Sequence, residues 1–475
     1  MNKLQFWNTT IIYTIGFLGL RALSFILLPL YTNLLTAHQA GILFIIYTIL
    51  AFLNTIYNRG MDSALLKFFN SSSEKSIIST SVLYSMIYGI ILSAVLLLLY
   101  YLTYSFNFFQ LYNISSNIAL YLVVILFCDM LSSRCMHIVR LKNQAWYYLL
   151  VSFINVLLSI ILNVYFIVHL NLGLNGAILA LLYVSIIQMI ILLPAIYNKL
   201  NINSFDKSLL IKMKNFSLPF LPAAIFFILI ELSDRWFIGF LSSNTTADVG
   251  LYGAGYKIGS IMLLIVRGFN LNWQPYYLKE KNTPMAIKQF ETIGTDFINI
   301  MICFSSLILI FYPLILQNKI FGIYLIGEIF WPGLTIIPII LLSYIFYGVF
   351  ILQMPSIYLT NKQNWAPIFW GIGFIINASL NILLIPMYGF LGAAISTLIA
   401  YFSMMILIVY KNYSWMKILY NITSIFKMLV LSGLLYLIYY INLSSAYSIT
   451  ITILASLAYL ALTLKYLISK ENVLL

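Results

Sequence analysis

Charge is scarce in this sequence. Of its 475 residues, 8% are charged and 63% hydrophobic, at a mean hydropathy of +1.00. So little polar surface cannot cover a water-soluble globule, and the solvent must be largely lipid. Period-2 alternation is absent too. The apolar runs are continuous, which argues against a transmembrane β-barrel and for α-helices, whose backbone groups are satisfied inside the segment. Cysteine occurs only at Cys128, Cys135 and Cys303, without ligand spacing or a disulfide-like pattern, so the three are expected as free thiols packed like small hydrophobes. His38, His137 and His169 lie far apart in sequence, and no metal site or cofactor is expected. There is no Walker motif, hence no sign of internal ATP hydrolysis. Gly253-Ala-Gly255-Tyr-Lys-Ile-Gly259 has the wrong spacing for a dinucleotide loop, so Gly255 and Gly259 read as a small-xxx-small packing face. The N-terminal MNKLQFWNTTIIYTIGFLGL lacks an A-x-A-like cleavage site, and its apolar pattern continues to Tyr31, so it reads as a first span that is kept.

What the sequence does have is length in its apolar runs. At roughly 20 residues per crossing, they give about fourteen candidate spans, the first at 9–31, the seventh at 217–241, the eighth at 250–275 and the last at 447–466. The expected class is an all-α integral membrane protein. A net charge of +13 raises nucleic acid as a partner, but the location of the bases excludes it. Most Lys and Arg fall in the termini and even-numbered connections, such as Lys142, Lys199, Lys207, Lys212 and Lys214, and only Lys319 lies in an odd-numbered one. That asymmetry predicts cytoplasmic termini.

Short motifs recur at a nearly constant offset. Gln144-Ala-Trp146 and Gln363-Asn-Trp365 open the fifth and eleventh spans, Gly173-Leu-Asn-Gly176-Ala177 and Gly389-Phe-Leu-Gly392-Ala393 open the sixth and twelfth, and Gly41 and Gly250 open the second and eighth. The offsets, 219, 216 and 209 residues, predict a duplication of six spans. Six is even, so the copies have one orientation, related by an axis along the membrane normal. The expected organisation is a six-helix bundle at 1–200, an interfacial linker at 201–216, a second bundle at 217–411 and two additional helices at 412–475. In the linker, Leu209, Leu210, Ile211 and Met213 alternate with Lys207, Lys212 and Lys214, as suits a segment in the headgroup layer.

The charges inside the spans are the functional candidates: Arg21, Arg235, Lys257 and Arg267, with Lys427 near enough to an end to snorkel, and the acids Asp129, Glu231 and Asp234. Each costs about 2.5–3.5 kcal/mol at a helix centre, so they should face protein or a hydrated cavity. Glu231, Asp234 and Arg235 fall on one face of the seventh span, and Lys257 lies at similar depth in the eighth. Two readings stay open for this group: a neutralised ion-pair network that fixes helix packing, or groups that touch a cargo. Bases exceed acids, which favours an anionic ligand. An arginine in a low-dielectric cavity suits phosphate, because its planar fork makes two parallel bonds and stays protonated.

Three segments carry a family resemblance: Ser233-Asp234-Arg235-Trp-Phe-Ile-Gly239, Asp248-Val-Gly250-Leu-Tyr252-Gly-Ala-Gly-Tyr256-Lys257, and Phe269-Asn-Leu-Asn-Trp273-Gln-Pro275. The chain resembles the polysaccharide-biosynthesis flippases of the multidrug/oligosaccharidyl-lipid/polysaccharide exporter superfamily. The resemblance implies two six-helix bundles around a central cavity that opens alternately to either side. It also implies undecaprenyl-diphosphate-linked oligosaccharide as cargo, moved to the outer leaflet of a bacterial cytoplasmic (inner) membrane for O-antigen, capsule or another surface polysaccharide. Membrane lipids and other polysaccharide assembly proteins are the implied partners. In the related lipid II flippases, cavity arginines on the first and eighth spans are thought to engage the diphosphate. Arg21 and Arg267 match these in kind, Lys257 belongs to the Tyr-Lys motif and Arg235 to the Asp-Arg motif, while the second span offers no base to carry over. Asp129, Glu231 and Asp234 are candidates for binding a coupling proton or sodium ion, or for ion pairing. No bond need be made or broken, so no enzyme activity is expected. The rival readings are a cation-coupled multidrug antiporter of the same superfamily, against which Arg21 argues, and a membrane glycan polymerase or ligase, which would be expected to have a sizeable catalytic outer loop.

Overall fold

A computed structural model describes residues 27–69, 73–104, 116–142, 144–197, 199–218, 220–243, 245–279, 283–316, 318–320, 323–360, 362, 364–442 and 448–469. Among these the chain is helical nearly throughout; the strands described are β1 (Lys319–Ile320) and β2 (Ile323–Tyr324), an antiparallel pair of two residues each. Among the described residues ten helices are long and apolar enough to cross a membrane, and an eleventh candidate is a helix pair, Thr246–Gly259 with Ile261–Leu278, bent by 43°. The chain is thus a multi-pass membrane protein. It divides into two compact units, one from Leu23 to Gly250 and the other holding the described residues from Leu251 onward.

The first unit contains α1 (Ala37–Asn58), α2 (Met61–Phe68), α3 (Glu74–Tyr104), α4 (Ser116–Leu141), α5 (Ala145–Asn163), α6 (Gly173–Leu192), α7 (Lys207–Ser217), α8 (Phe220–Leu232) and α9 (Asp234–Leu241). α1 starts at a capping box in which the Thr36 hydroxyl accepts from Gln39 N–H and the Gln39 side chain accepts from Thr36 N–H, satisfying two amides that lipid cannot. It stops where Arg59 and Gly60 turn left-handed, at φ 47° and 67°. Gly60 is required there twice over, because a Cβ would also lie 2.9 Å from the Ser217 carbonyl oxygen. The linker forms α7, capped by Asp206, whose carboxylate accepts from the Ser208 and Leu209 amides. Leu209 and Met213 are buried in a core with Met61, Leu65, Ile78, Ile138 and Leu192, while Lys207 and Lys212 are exposed. Leu209 and Met213 thus face the core and Lys207 and Lys212 face away from it, with Ile211 exposed beside Lys212.

α10 (Thr245–Gly259) begins in the first unit and ends in the second, which continues through α11 (Ile261–Lys279), α12 (Pro284–Leu316), α13 (Ile337–Leu352), α14 (Met354–Leu359), α15 (Trp365–Tyr388), α16 (Phe390–Trp415), α17 (Ile422–Asn442) and α18 (Ser448–Ser469). The bend between α10 and α11 falls at Ser260, whose hydroxyl bonds back to the Lys257 carbonyl at 2.8 Å, a contact that distorts helices. Gly255 and Gly259 do form a packing face: a Cβ would lie 2.0 Å from the Gly333 carbonyl oxygen at the first and 2.6 Å from Ile340 Cγ2 at the second. Beside the membrane, burial above all, with Glu291 adding charge, pushes the Tyr420 hydroxyl far above its ordinary range.

The repeated motifs adopt matching local structures. Gly173 and Gly389 precede the first full turns of α6 and α16 with φ of 52° and 56°. Three residues on, Gly176 and Gly392 let the preceding helix approach so closely that a Cβ would meet the Phe166 backbone at 3.0 Å and the Leu384 carbonyl oxygen at 2.4 Å. After α6 and after α16 an asparagine backbone N–H donates to a hydroxyl, on α3 and α12 respectively: Asn201 to Ser79 at 2.9 Å, Asn421 to Thr295 at 3.0 Å. The earliest pair goes further. A Cβ on Gly41 would lie 1.7 Å from the Thr246 carbonyl oxygen, and one on Gly250 would lie 2.2 Å from that of Ala37. Ala37 and Thr246 are separated by the same 209 residues as Gly41 and Gly250, so the contact is reciprocal, as across a local two-fold axis.

Candidate functional site

The seventh predicted span does not run as one helix. α8 ends at Leu232 and α9 starts at Asp234, with Ser233 between them. The charges gather at this break: Glu231 in the last turn of α8, then Asp234 and Arg235 in the first turn of α9, at 5%, 0% and 8% exposure. The Arg235 guanidinium donates to the Glu231 carbonyl oxygen at 3.3 Å, the acceptor that a continuous helix would pair with the Arg235 amide. Asp234 at the start of α9 sits where the helix dipole favours negative charge. Interrupting the helix exposes backbone groups that hydrocarbon would leave unsatisfied, and charged side chains can serve them where protein buries the break. Both helices pack on α1, where Phe52 meets Trp236 edge to face at 5.5 Å.

Asp129 lies on α4, and Ser185 on α6 donates to its carboxylate at 2.7 Å. Asn54 on α1 adds a second side-chain hydrogen bond. A larger charged group, absent from the sequence-based candidates, sits one turn and more further along α4. Arg134, 1% exposed, ion-pairs with Asp62 on α2 and donates to Ser85 Oγ at 3.1 Å and to the Asn58 carbonyl at 2.9 Å. His137 Nε2 lies 3.5 Å from the other Asp62 oxygen. Arg134 thus clamps the C-terminus of α1 to the start of α2 across the left-handed pair. Its position inside a predicted span was the available signal, and its nearness to the span's end hid it. Glu74, which opens α3, takes Lys142 at 2.9 Å and Lys199 at 3.2 Å, joining three connections at one end of the unit.

In the second unit, Lys257 and Arg267 are both half-buried, on α10 and α11. Tyr252, Tyr256, Phe269 and Trp273 of the resemblance motifs are core. Trp273 is fully buried, donates to the Ile351 carbonyl at 3.3 Å and stands among Phe269, Tyr276, Tyr277 and Phe290. Tyr256 and Tyr344 share a hydrogen bond at 2.6 Å. Arg21 lies outside the described residues, and Lys427 is exposed on α17. Cys128, Cys135 and Cys303 are free and buried. Among the described residues no three His, Cys, Asp or Glu side chains come together as metal ligands.

Comparison with known proteins follows the same lines. The family described as polysaccharide biosynthesis protein matches residues 6–277, more than half of the chain. Among solved structures, the chain is similar to the lipid II flippase MurJ in an inward closed conformation, at 17% identity and a TM-score of 0.71, over 98% of this chain and 100% of that one. It is similar as well to an outward-facing multidrug resistance MATE family transporter of the MOP superfamily, at 13% identity and a TM-score of 0.59, over 85% and 93%. A MOP superfamily transporter from Pyrococcus furiosus, described by the reverse polarity of its binding pocket, matches at 14% identity and 0.56, over 86% and 94%. At these identities what is shared is the fold. No curated protein matches the sequence.

Proposed function

We propose that this chain, which belongs to the polysaccharide biosynthesis protein family, is a flippase for undecaprenyl-diphosphate-linked oligosaccharide, moving it from the cytoplasmic to the outer leaflet by alternating access. The observation that carries the reading is family membership in a chain whose whole length follows the fold of a lipid II flippase. The charge balance supports it: 25 bases to 12 acids, with Lys257 and Arg267 half-buried within predicted spans. Taking a diphosphate and its sugars through hydrocarbon costs many kcal/mol unassisted. A hydrated basic cavity between two six-helix bundles supplies charge-assisted hydrogen bonds while the prenyl tail stays in lipid.

In this reading Arg21, Lys257, Arg267 and Arg235 receive the diphosphate, while Asp129, Glu231 and Asp234 serve coupling or ion pairing. The reading further includes fourteen crossings, with boundaries at 1–200, 201–216, 217–411 and 412–475, in a bacterial inner membrane with both termini cytoplasmic. Deleting the gene and analysing lipid-linked oligosaccharide by mass tests it: cargo should accumulate on the cytoplasmic side and surface polysaccharide should disappear. The likeness to MATE transporters gives the second reading, a cation-coupled multidrug antiporter. Resistance to cationic dyes on expression, with surface glycan unchanged, would establish that reading instead.

A further inference from the structure

We propose that Asp129, flanked by Asn54 and Ser185, is a site that takes up and releases one proton. Asp129 stands near the midpoint of the Ile118–Val139 span, where α1, α4 and α6 pack against one another, and its two hydrogen-bonding neighbours are neutral. Ser185 gives the carboxylate a bond at 2.7 Å and Asn54 gives it another. The Asn54 amide oxygen is itself buried with no hydrogen-bond partner among the described residues.

That combination suits both protonation states. With Asp129 ionised, the Asn54 amide and the Ser185 hydroxyl donate. With Asp129 protonated, its new O–H needs an acceptor, and a turn of the amide brings in the unoccupied oxygen while the serine hydroxyl rotates to suit. A site locked in one state looks different, as the neighbouring acids show. Asp62 is ion-paired with Arg134, and Glu74 with Lys142 and Lys199.

The other charged groups on the elements packed against α4 are His38 and Arg59 at the ends of α1, Lys67 on α2 and Lys75 at the start of α3; α5 and α6 have none. On α4 itself, Cys128 precedes Asp129, and Arg134, His137 and Arg140 lie towards its end. Arg134 and His137 pair with Asp62, and no ion pair to Asp129 occurs among the described side chains. Four side-chain oxygens, two of them on one carboxylate, also fall short of the six or so that a hard cation gathers, which favours the proton. The proton moves between water and the Asp129 carboxylate, with no other bond changed.

Infrared difference spectra of the full chain in lipid nanodiscs, titrated between about pH 5 and pH 9, read this directly. We expect a carboxylic acid C=O band that titrates, is missing in Asp129→Asn, and is unmoved when sodium is replaced by choline. In Ser185→Ala, loss of a donor to the ionised form should raise the midpoint by about one unit, tenfold in proton affinity. If the Asn variant fails to fold, Asp129→Glu must retain the band at a shifted midpoint. Absence of a band that depends on residue 129 overturns the site, and so does a band erased by sodium. The measurement needs no cargo, so its outcome is independent of whether the chain proves to be a flippase.

Discussion

At the scale of single residues, the same charge has different consequences depending on what it touches. Arg134 is satisfied by Asp62, Ser85 and Asn58, which makes it a structural clamp rather than a cargo contact. Arg134→Ala should cost about 3 kcal/mol, the lower end of the range for a broken buried pair, since Asp62 keeps 24% of its side chain exposed. The double change Arg134→Met with Asp62→Leu should regain most of that in thermal stability, read by size-exclusion fluorescence. Arg21 is argued differently, from sequence: a base near the middle of an apolar run, with no acid within one helical turn. Arg21→Ala should abolish surface polysaccharide while leaving insertion intact, and Arg21→Lys should restore it only in part, because lysine lacks the planar fork. Wild-type glycan in the alanine variant would remove Arg21 from the diphosphate site. Most acids and bases inside spans were legible one by one, as departures from an apolar background, with Arg134 passed over. Which of them are satisfied locally was not, because partners such as Asp62 and Arg134 are 72 residues apart.

At the scale of elements, breaks carry the information. The span predicted at 217–241 is two helices meeting at Ser233, and the one at 250–275 bends at Ser260. A window long enough to detect a span averages over both, although Glu231, Ser233, Asp234 and Arg235 interrupt the apolar run at the first. At the first break Arg235 serves one backbone group, the Glu231 carbonyl, and Glu231 and Asp234 flank it on either side. Whether Asp234 and Lys257 also form a structural pair can be settled by exchange. Asp234→Lys and Lys257→Asp should each lower surface polysaccharide, and recovery in the double exchange would mark a pair, whereas continued loss would mark separate roles. Glycine spacing was more informative than hydropathy at this scale. Gly41→Ala should reduce folded yield sharply, as its Cβ would sit 1.7 Å from a backbone oxygen that cannot move without shifting a helix; Ala40→Gly, one residue away, should not.

At the scale of the whole molecule, the proposed orientation has a direct check. A cysteine at exposed Lys319 should react with a membrane-impermeant thiol reagent in intact cells, and one at exposed Lys207 only after permeabilisation, the three native thiols being buried. Labelling in the opposite order would invert the topology. By itself the sequence determined the class: an excess of apolar residues leaves lipid as the only solvent, and lipid leaves the helix as the form in which continuous apolar runs satisfy their backbone. The recurring glycines it showed have a local physical reason, because Gly173 and Gly389 occupy left-handed positions and Gly41 and Gly250 sit where backbones touch, places that admit few other residues. Tertiary structure alone decided where helices break, that Trp273 and Tyr256 of the family motifs are core, and which charges meet. Those outcomes depend on side chains from helices distant in sequence converging at one depth, and local periodicity holds no record of that convergence.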